Sequence, residues 1–286
     1  MAVSSVVATI FAALCWADAI GLGGAAAAWW LLPVAVCLAW GAATEAARMS
    51  ADRGLAIRQP LVAAATAALP LVAVAAVEIP PAGPAARIGQ VALALVVILG
   101  LFFGIELAAY RRGTGGLKRI AAGFLTVAAI GLPLAFMVSL RVLGGAGPTG
   151  LLPLVSMVAV VKGGDIAAYL VGSQLGRNRM APLVSPGKTW EGAAASVTAS
   201  LTVSWLLLDA SGWAPFHPWG GWPAYGLTVG VAGMLGDLSE SLVKRELAVK
   251  DSGRSLGGLG GFLDLVDAPL FAAPVAWLLW TLGSQP

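Results

Sequence analysis

The chain has 286 residues, 59% of them hydrophobic and only 11% charged, with a net charge of +3. Soluble globular domains carry about 25% charged residues. With a mean hydropathy of +0.88, an ordinary soluble domain is excluded, and the composition describes an all-α, polytopic integral membrane protein.

Apolar runs of roughly 20 residues, each able to cross about 30 Å of hydrocarbon as a helix, can be drawn about nine times. They fall near residues 4–22, 25–43, 60–80, 89–109, 119–141, 150–174, 192–209, 222–243 and 262–283. The first lacks the basic n-region and cleavage site of a secretory leader and is read as a retained span. Residues 1–145 are expected to form a transmembrane scaffold, and residues 146–286 a transmembrane catalytic region.

In the scaffold, Trp29, Trp30 and Trp40 suit interfacial or packing positions. Pro33, Pro70 and Pro133 mark tolerated kinks. Cys15 and Cys37 have no partner at metal-ligand spacing and are expected to be small buried hydrophobes. Asp18, near the end of the first span, is expected to be solvated. Glu106, about one turn from Arg111 and Arg112, is expected to form an interfacial ion pair with them.

The sixth span changes character. Lys162 and Asp165 stand one helical turn apart in mid-segment, where an unpaired charge costs roughly 2.5–3.5 kcal/mol. Gly164, Ala168, Gly172 and Gly176 recur every fourth residue, a stripe that admits close approach of another helix. A packing seam with an internal ion pair and a polar wall of a cavity both fit this pattern. The following loop, residues 177–192, offers Ser185, Lys188 and Thr189 as hydroxyl and ammonium donors. Its Gly-Lys-Thr is not a phosphate-binding P-loop, because the earlier glycine and the preceding strand of that motif are missing. His217, among Trp213, Trp219 and Trp222, reads as an interfacial residue.

Carboxylates, basic residues and glycines concentrate between Gly236 and Asp267. On a helix, Asp237, Ser241 and Lys244 share one stripe, and Asp264 and Asp267 share a face of the last span, with Glu240 close by. Like charges brought together in this way require protons or a hard cation. Lys244, Arg245, Lys250 and Arg254, with Gly257, Gly258, Gly260 and Gly261, add groups suited to phosphate oxygens. Acidic groups for a divalent cation beside basic groups for phosphate are what nucleotidyl transfer requires. The basic residues follow the second, fourth, sixth and eighth spans, which places those loops in the cytoplasm under the positive-inside rule.

These residues carry a family resemblance. Ser241-x-x-Lys244-Arg245-x-x-x-x-Lys250-Asp251-x-Gly253, continued by Gly260-Gly261-x-x-Asp264-x-x-Asp267, resembles the signature of the phosphatidate cytidylyltransferases, or CDP-diacylglycerol synthases. Ser185-Pro186-x-Lys188-Thr189-Trp190-Glu191-Gly192 and Asp165-x-x-Ala168-Tyr169 are similar to two further segments of that family. The resemblance implies a multi-pass enzyme of phospholipid biosynthesis in the cell's inner, cytoplasmic membrane, homodimeric and without a nucleic-acid partner. It would join CTP and phosphatidic acid into CDP-diacylglycerol and pyrophosphate, at an active site facing the cytoplasm.

By matching position, Asp237 and Asp264 would hold Mg²⁺, with Asp267 near the metal and a second cation such as K⁺ beside it. Lys244, Arg245, Lys250, Asp251 and Asp267 would be the catalytic groups. Ser185, Lys188, Thr189, Ser241, Asp165, Gly260 and Gly261 would line the substrate site. The sequence departs from the family pattern at Leu259, where a histidine is usual, and at Leu265, where an arginine is usual. A related CTP-dependent enzyme acting on another lipid and a non-catalytic or transport protein are the competing readings.

Overall fold

The computed structural model describes residues 2–22, 27–55, 57–76, 83–110, 115–145, 147–212, 217–249, 253 and 260–283. Its α-helices are α1 (Ala2–Ala19), α2 (Leu32–Ala51), α3 (Gln59–Ala75), α4 (Pro84–Ala108), α5 (Gly116–Thr126), α6 (Leu132–Leu143), α7 (Leu152–Leu175), α8 (Trp190–Trp205), α9 (Gly221–Glu246) and α10 (Phe262–Gly283). One π-helical turn, Val127–Gly131, joins α5 to α6. The ten α-helices of the described residues therefore make nine rods, eight of them close to expected spans and the second, Leu32–Ala51, displaced C-terminally from the expected 25–43.

Five rods are long and apolar enough to cross a membrane: Ala86–Ala108, Gly116–Leu143, Thr149–Leu175, Trp190–Ala210 and Phe262–Gly283. Thr9–Ala19 and Gln59–Ala75 are shorter apolar helices. Five crossings thus rest on length and composition, and the remaining rods lie near expected spans in position only, α2 the least closely. The sequence did not suggest the strands found among the described residues, an antiparallel hairpin of β1 (Arg179–Ala181) and β2 (Ser185–Thr189) within the loop after α7.

The chain divides into two compact units. The first comprises α1 as far as Asp18, Ala28–Ser139 and Val249–Leu265; the second comprises Leu140–Ala248 and α10 from Val266. Gly253 and the start of α10 as far as Leu265 therefore belong with the N-terminal helices.

The first unit has a core of Val62, Leu69, Ile98, Phe102, Ile120 and Val127 among others. It closes tightly because small residues face neighbouring backbone. A Cβ at Gly131 would stand 2.9 Å from the Thr66 carbonyl oxygen, and one at Gly123 would stand 3.1 Å from both Phe102 and Val62. Burying those side chains is the main stabilising contribution within a helical bundle, from dispersion at close-packed density.

The expectations for Asp18 and Cys37 are corrected, and that of an ion pair at Glu106 is met by other partners. Asp18 is not solvated but 3% exposed, and it accepts backbone N–H bonds from Ala28 and Trp30, each at 3.2 Å. The chain turns after α1, and amides without helical partners need an acceptor there. Glu106 does form an ion pair, but with Arg58 at 3.3 Å and with Arg119, while Arg111 and Arg112 lie outside the described residues. Cys15 is buried as expected, whereas Cys37 is exposed on the outward face of α2. Hydrogen bonds to a charged acceptor contribute about 1.5–3 kcal/mol. Asp18→Ala is accordingly expected to lower the unfolding free energy in detergent by about that much, read from a denaturant titration of the purified protein.

In the second unit the stripe on α7 is a packing seam. A Cβ at Gly164 would stand 2.7 Å from Ser196 Oγ and 2.8 Å from Ser200 Oγ of α8, and one at Gly192 would stand 2.9 Å from the Ala168 carbonyl oxygen. Ser200 Oγ donates to the Val160 carbonyl at 3.2 Å, so the buried hydroxyl is satisfied across the seam. Gly226 and Gly230 bring α9 against Ser204 and Ser200 of the same serine stripe on α8. Tyr225, fully buried, packs edge-on to Trp280 with ring centroids 6.0 Å apart, and its hydroxyl lies 3.0 Å from Ser156 Oγ. These contacts fix α7, α8, α9 and α10 as the frame of the polar cluster described next.

Candidate active site

α9 remains helical through Glu246, so Asp237, Ser241 and Lys244 do fall along one stripe. Glu240 lies beside that stripe, 9% exposed. On α10, Asp267 faces the same place. Asp237, Glu240 and Asp267 each present a carboxylate oxygen, and the three oxygens lie within 4.8 Å of one another.

Gly236 makes this convergence possible. A Cβ there would stand 2.5 Å from the Asp267 carbonyl oxygen and 3.1 Å from Ala268 Cα. The α9 backbone therefore runs against α10 immediately before its first carboxylate.

Three carboxylates this close repel one another, and counter-charges surround them. Lys188 Nζ, on β2 of the hairpin, lies 2.8 Å from Asp237 Oδ2. Lys244 Nζ lies 3.0 Å from Glu240 Oε1, one helical turn along α9. On α7, Lys162 Nζ pairs with Asp165 Oδ2 at 3.4 Å, and Asp165 is within electrostatic range of Asp237 and Lys188. The mid-span charges of α7 thus serve both readings left open by the sequence. Its small residues face α8, and its ion pair borders the acidic cluster.

The hairpin places Lys188 through its own local chemistry. Pro182 favours the turn after β1, and the Val184 N–H bonds to the Ala181 carbonyl at 3.2 Å. Arg245 of α9 donates from Nε to the Val184 carbonyl at 3.0 Å, holding the hairpin tip. Thr189, 3% exposed, ends β2 and caps α8, its hydroxyl accepting the Gly192 N–H at 3.1 Å. Its hydroxyl therefore organises the strand-to-helix junction. Ser185 and Ser241 are half-buried.

In the first unit, α10 begins at Phe262, and Asp264 sits in its first turn. Asp264 Oδ2 accepts the Gly261 N–H at 2.7 Å. Gly260 has φ +84°, and a Cβ there would stand 2.6 Å from the same oxygen, so glycine is required on both grounds. Lys250, Asp251 and Leu259 lie outside the described residues, and Leu265 is half-buried. Glu240 is the member of the cluster that the sequence placed nearby without a ligand role. Its spacing of three from Asp237 was the signal available.

The sequence matches the family described as "Cytidylyltransferase family" over residues 2–282. The chain belongs to that family. It is 42% identical over 152 residues to the phosphatidate cytidylyltransferase of Brucella melitensis, covering 52% of this chain and 54% of that protein. It is 40% identical over 134 residues to the phosphatidate cytidylyltransferase of Synechocystis, covering 46% and 43% respectively. The protein of the same name from Mycobacterium leprae is 41% identical over 126 residues, covering 44% and 39%. The chain spans about half the length of the curated relatives it matches.

Proposed function

We propose that this chain is a phosphatidate cytidylyltransferase of the cell's inner membrane. It would transfer the cytidylyl group of CTP to phosphatidic acid and work as a homodimer with its site facing the cytoplasm. The observation that carries the reading is the cluster of Asp237, Glu240 and Asp267 with Lys188 and Lys244 against it. A proton path needs carboxylates but not two ammonium groups at hydrogen-bonding distance from them. The family membership and the relatives' names support the same chemistry.

Three hard oxygen donors suit a hard divalent cation, and Mg²⁺ fits this donor set. Asp237, Glu240 and Asp267 would hold it, with Asp264 a further candidate, and a second cation such as K⁺ is compatible with so much negative charge. Bound Mg²⁺ would supply charge neutralisation at the phosphate oxygens.

In the reaction, a phosphatidate phosphate oxygen attacks the α-phosphorus of CTP. The bond from that phosphorus to the bridging oxygen of the β-phosphate breaks, and pyrophosphate leaves with the bond's electron pair. Lys188 and Lys244 stand where they can shift from the carboxylates to phosphate oxygens, stabilising charge that grows on the leaving group. Arg245 keeps the hairpin, and with it Lys188, against α9. No side chain need become covalently attached. Lys250 and Asp251 would complete the nucleotide site from the signature segment.

The test is pyrophosphate release by the detergent-purified chain, given CTP, Mg²⁺ and a panel of lipid phosphates. Turnover is expected with phosphatidate and lost on chelation of the metal. Turnover only with another lipid phosphate would assign a different acceptor, and no turnover with any lipid would end the proposal.

A further inference from the structure

Glu45 lies on α2, in the part of the chain that the sequence marks as scaffold, and is 3% exposed. A buried carboxylate is costly unless it is hydrogen-bonded. Its partner is 218 residues away: Glu45 Oε2 accepts the backbone N–H of Leu263 at 3.1 Å. Leu263 is the second residue of α10, and its amide is one of the four that a helix start leaves without an intrahelical acceptor.

A helix usually meets this need with a Ser, Thr, Asp or Asn at the cap position. Here the cap position is Gly261, which has no side chain. Asp264 supplies the returning half of a capping box by accepting the Gly261 N–H. Glu45 supplies the other half from a different helix. The same carboxylate also touches the signature segment, for a Cβ at Gly253 would stand 2.5 Å from Glu45 Oε1. One turn earlier on α2, Gly41 receives the Phe262 ring, which a Cβ would meet at 2.5 Å. α2 therefore holds the start of α10 at two successive turns, through a packing contact and a charged cap.

We propose that Glu45 is a positioning residue for the reaction, fixing the first turn of α10, and with it Asp264, relative to the Gly253 segment. This rests on the functional reading above. Residues that orient metal ligands typically change metal affinity or activity by about 10–100-fold when removed.

The experiment compares Glu45→Ala, Glu45→Gln and Gly253→Ala with the parent chain by two independent readouts. The first is amide hydrogen exchange in the peptide covering residues 260–265. The second is turnover as a function of Mg²⁺ concentration. Glu45→Ala is expected to speed exchange in that peptide by about tenfold and to raise the half-saturating Mg²⁺ concentration by about tenfold. Glu45→Gln, which keeps the acceptor oxygen, should recover most of both. Gly253→Ala is expected to shift the Mg²⁺ dependence in the same direction, and it decides the matter if Glu45→Ala does not fold. Parent-like exchange and Mg²⁺ dependence in Glu45→Ala would overturn the proposal. So would a loss of active protein with Mg²⁺ dependence unaltered. If the parent turns over no CTP, the functional reading fails, while the exchange measurement still decides whether Glu45 anchors α10.

Discussion

Replacing Asp237 with asparagine is expected to lower CTP- and phosphatidate-dependent turnover by about 10²–10³-fold, the size of effect seen when a preorganised charge-stabilising group is removed. Asp237 occupies two interactions at once. Its oxygen belongs to the group with Glu240 and Asp267, and it pairs with Lys188 at 2.8 Å. Asparagine keeps the shape and removes the charge, so α9 and the hairpin should stay packed while the cation site and the counter-ion of Lys188 are both lost. Initial rates across a Mg²⁺ series, with the unfolding midpoint as a control, measure this. Turnover close to that of the parent would remove Asp237 from the site.

The second large effect is expected at Gly236, which has no chemistry of its own. A Cβ there meets Asp267 backbone oxygen at 2.5 Å, and also Phe271 Cβ at 3.1 Å. A main-chain carbonyl within a helix cannot rotate aside as a flexible side chain can. Gly236→Ala must push α9 from α10, at a cost of about 1–3 kcal/mol for overpacking. The same displacement separates Asp237 and Glu240 from Asp267. A misplacement of about 1 Å can cost a hundredfold in rate, so kcat should fall by about that factor while the protein remains folded. Gly100→Ala on α4 is the matched control, because nothing lies within 4 Å of its added methyl. It should leave turnover unchanged. Parent-like kcat in Gly236→Ala would mean that the close approach of the two helices does not set the carboxylate spacing.

Much of this architecture is legible in the sequence because hydrocarbon leaves the backbone few options. Apolar runs bounded by Gly, Pro and basic residues become helices, and eight of the nine expected spans lie close to helical rods, while the rod expected at 25–43 is found at Leu32–Ala51. Asp237 and Asp267 stood out as charges near the ends of apolar segments, and a helical period brought Lys244 onto the stripe of Asp237. The small-residue stripe of α7 was readable as a face that admits close helix approach, although a polar cavity wall was left open beside a packing seam. Its partner, α8, was not, because stripes do not name what they face.

Other features left no local trace. Glu45 sits among alanines with nothing to mark it, for its partner is a backbone amide at the far end of the chain. Asp18 looked solvated because the amides it accepts belong to an irregular turn. The β1–β2 hairpin escaped notice because Ser-Pro-Gly-Lys-Thr has neither the alternation nor the β-branched residues of a typical strand. Glu106 was rightly read as paired, yet Arg58 and Arg119 approach it from other helices. For Glu45 and for the Arg58 partner of Glu106, what the sequence withholds is a partner distant along the chain.

The hairpin has one further consequence. Two short strands leave peptide groups along both edges without strand partners, and such groups are stable only where water can reach them. On the proposed reading, the pair formed by Lys188 and Asp237 would mark the level where hydrocarbon gives way to solvent. At that level the proposed triphosphate substrate would arrive from one side while the proposed lipid kept its tails immersed on the other. The two would never need to share a solvent in order to meet.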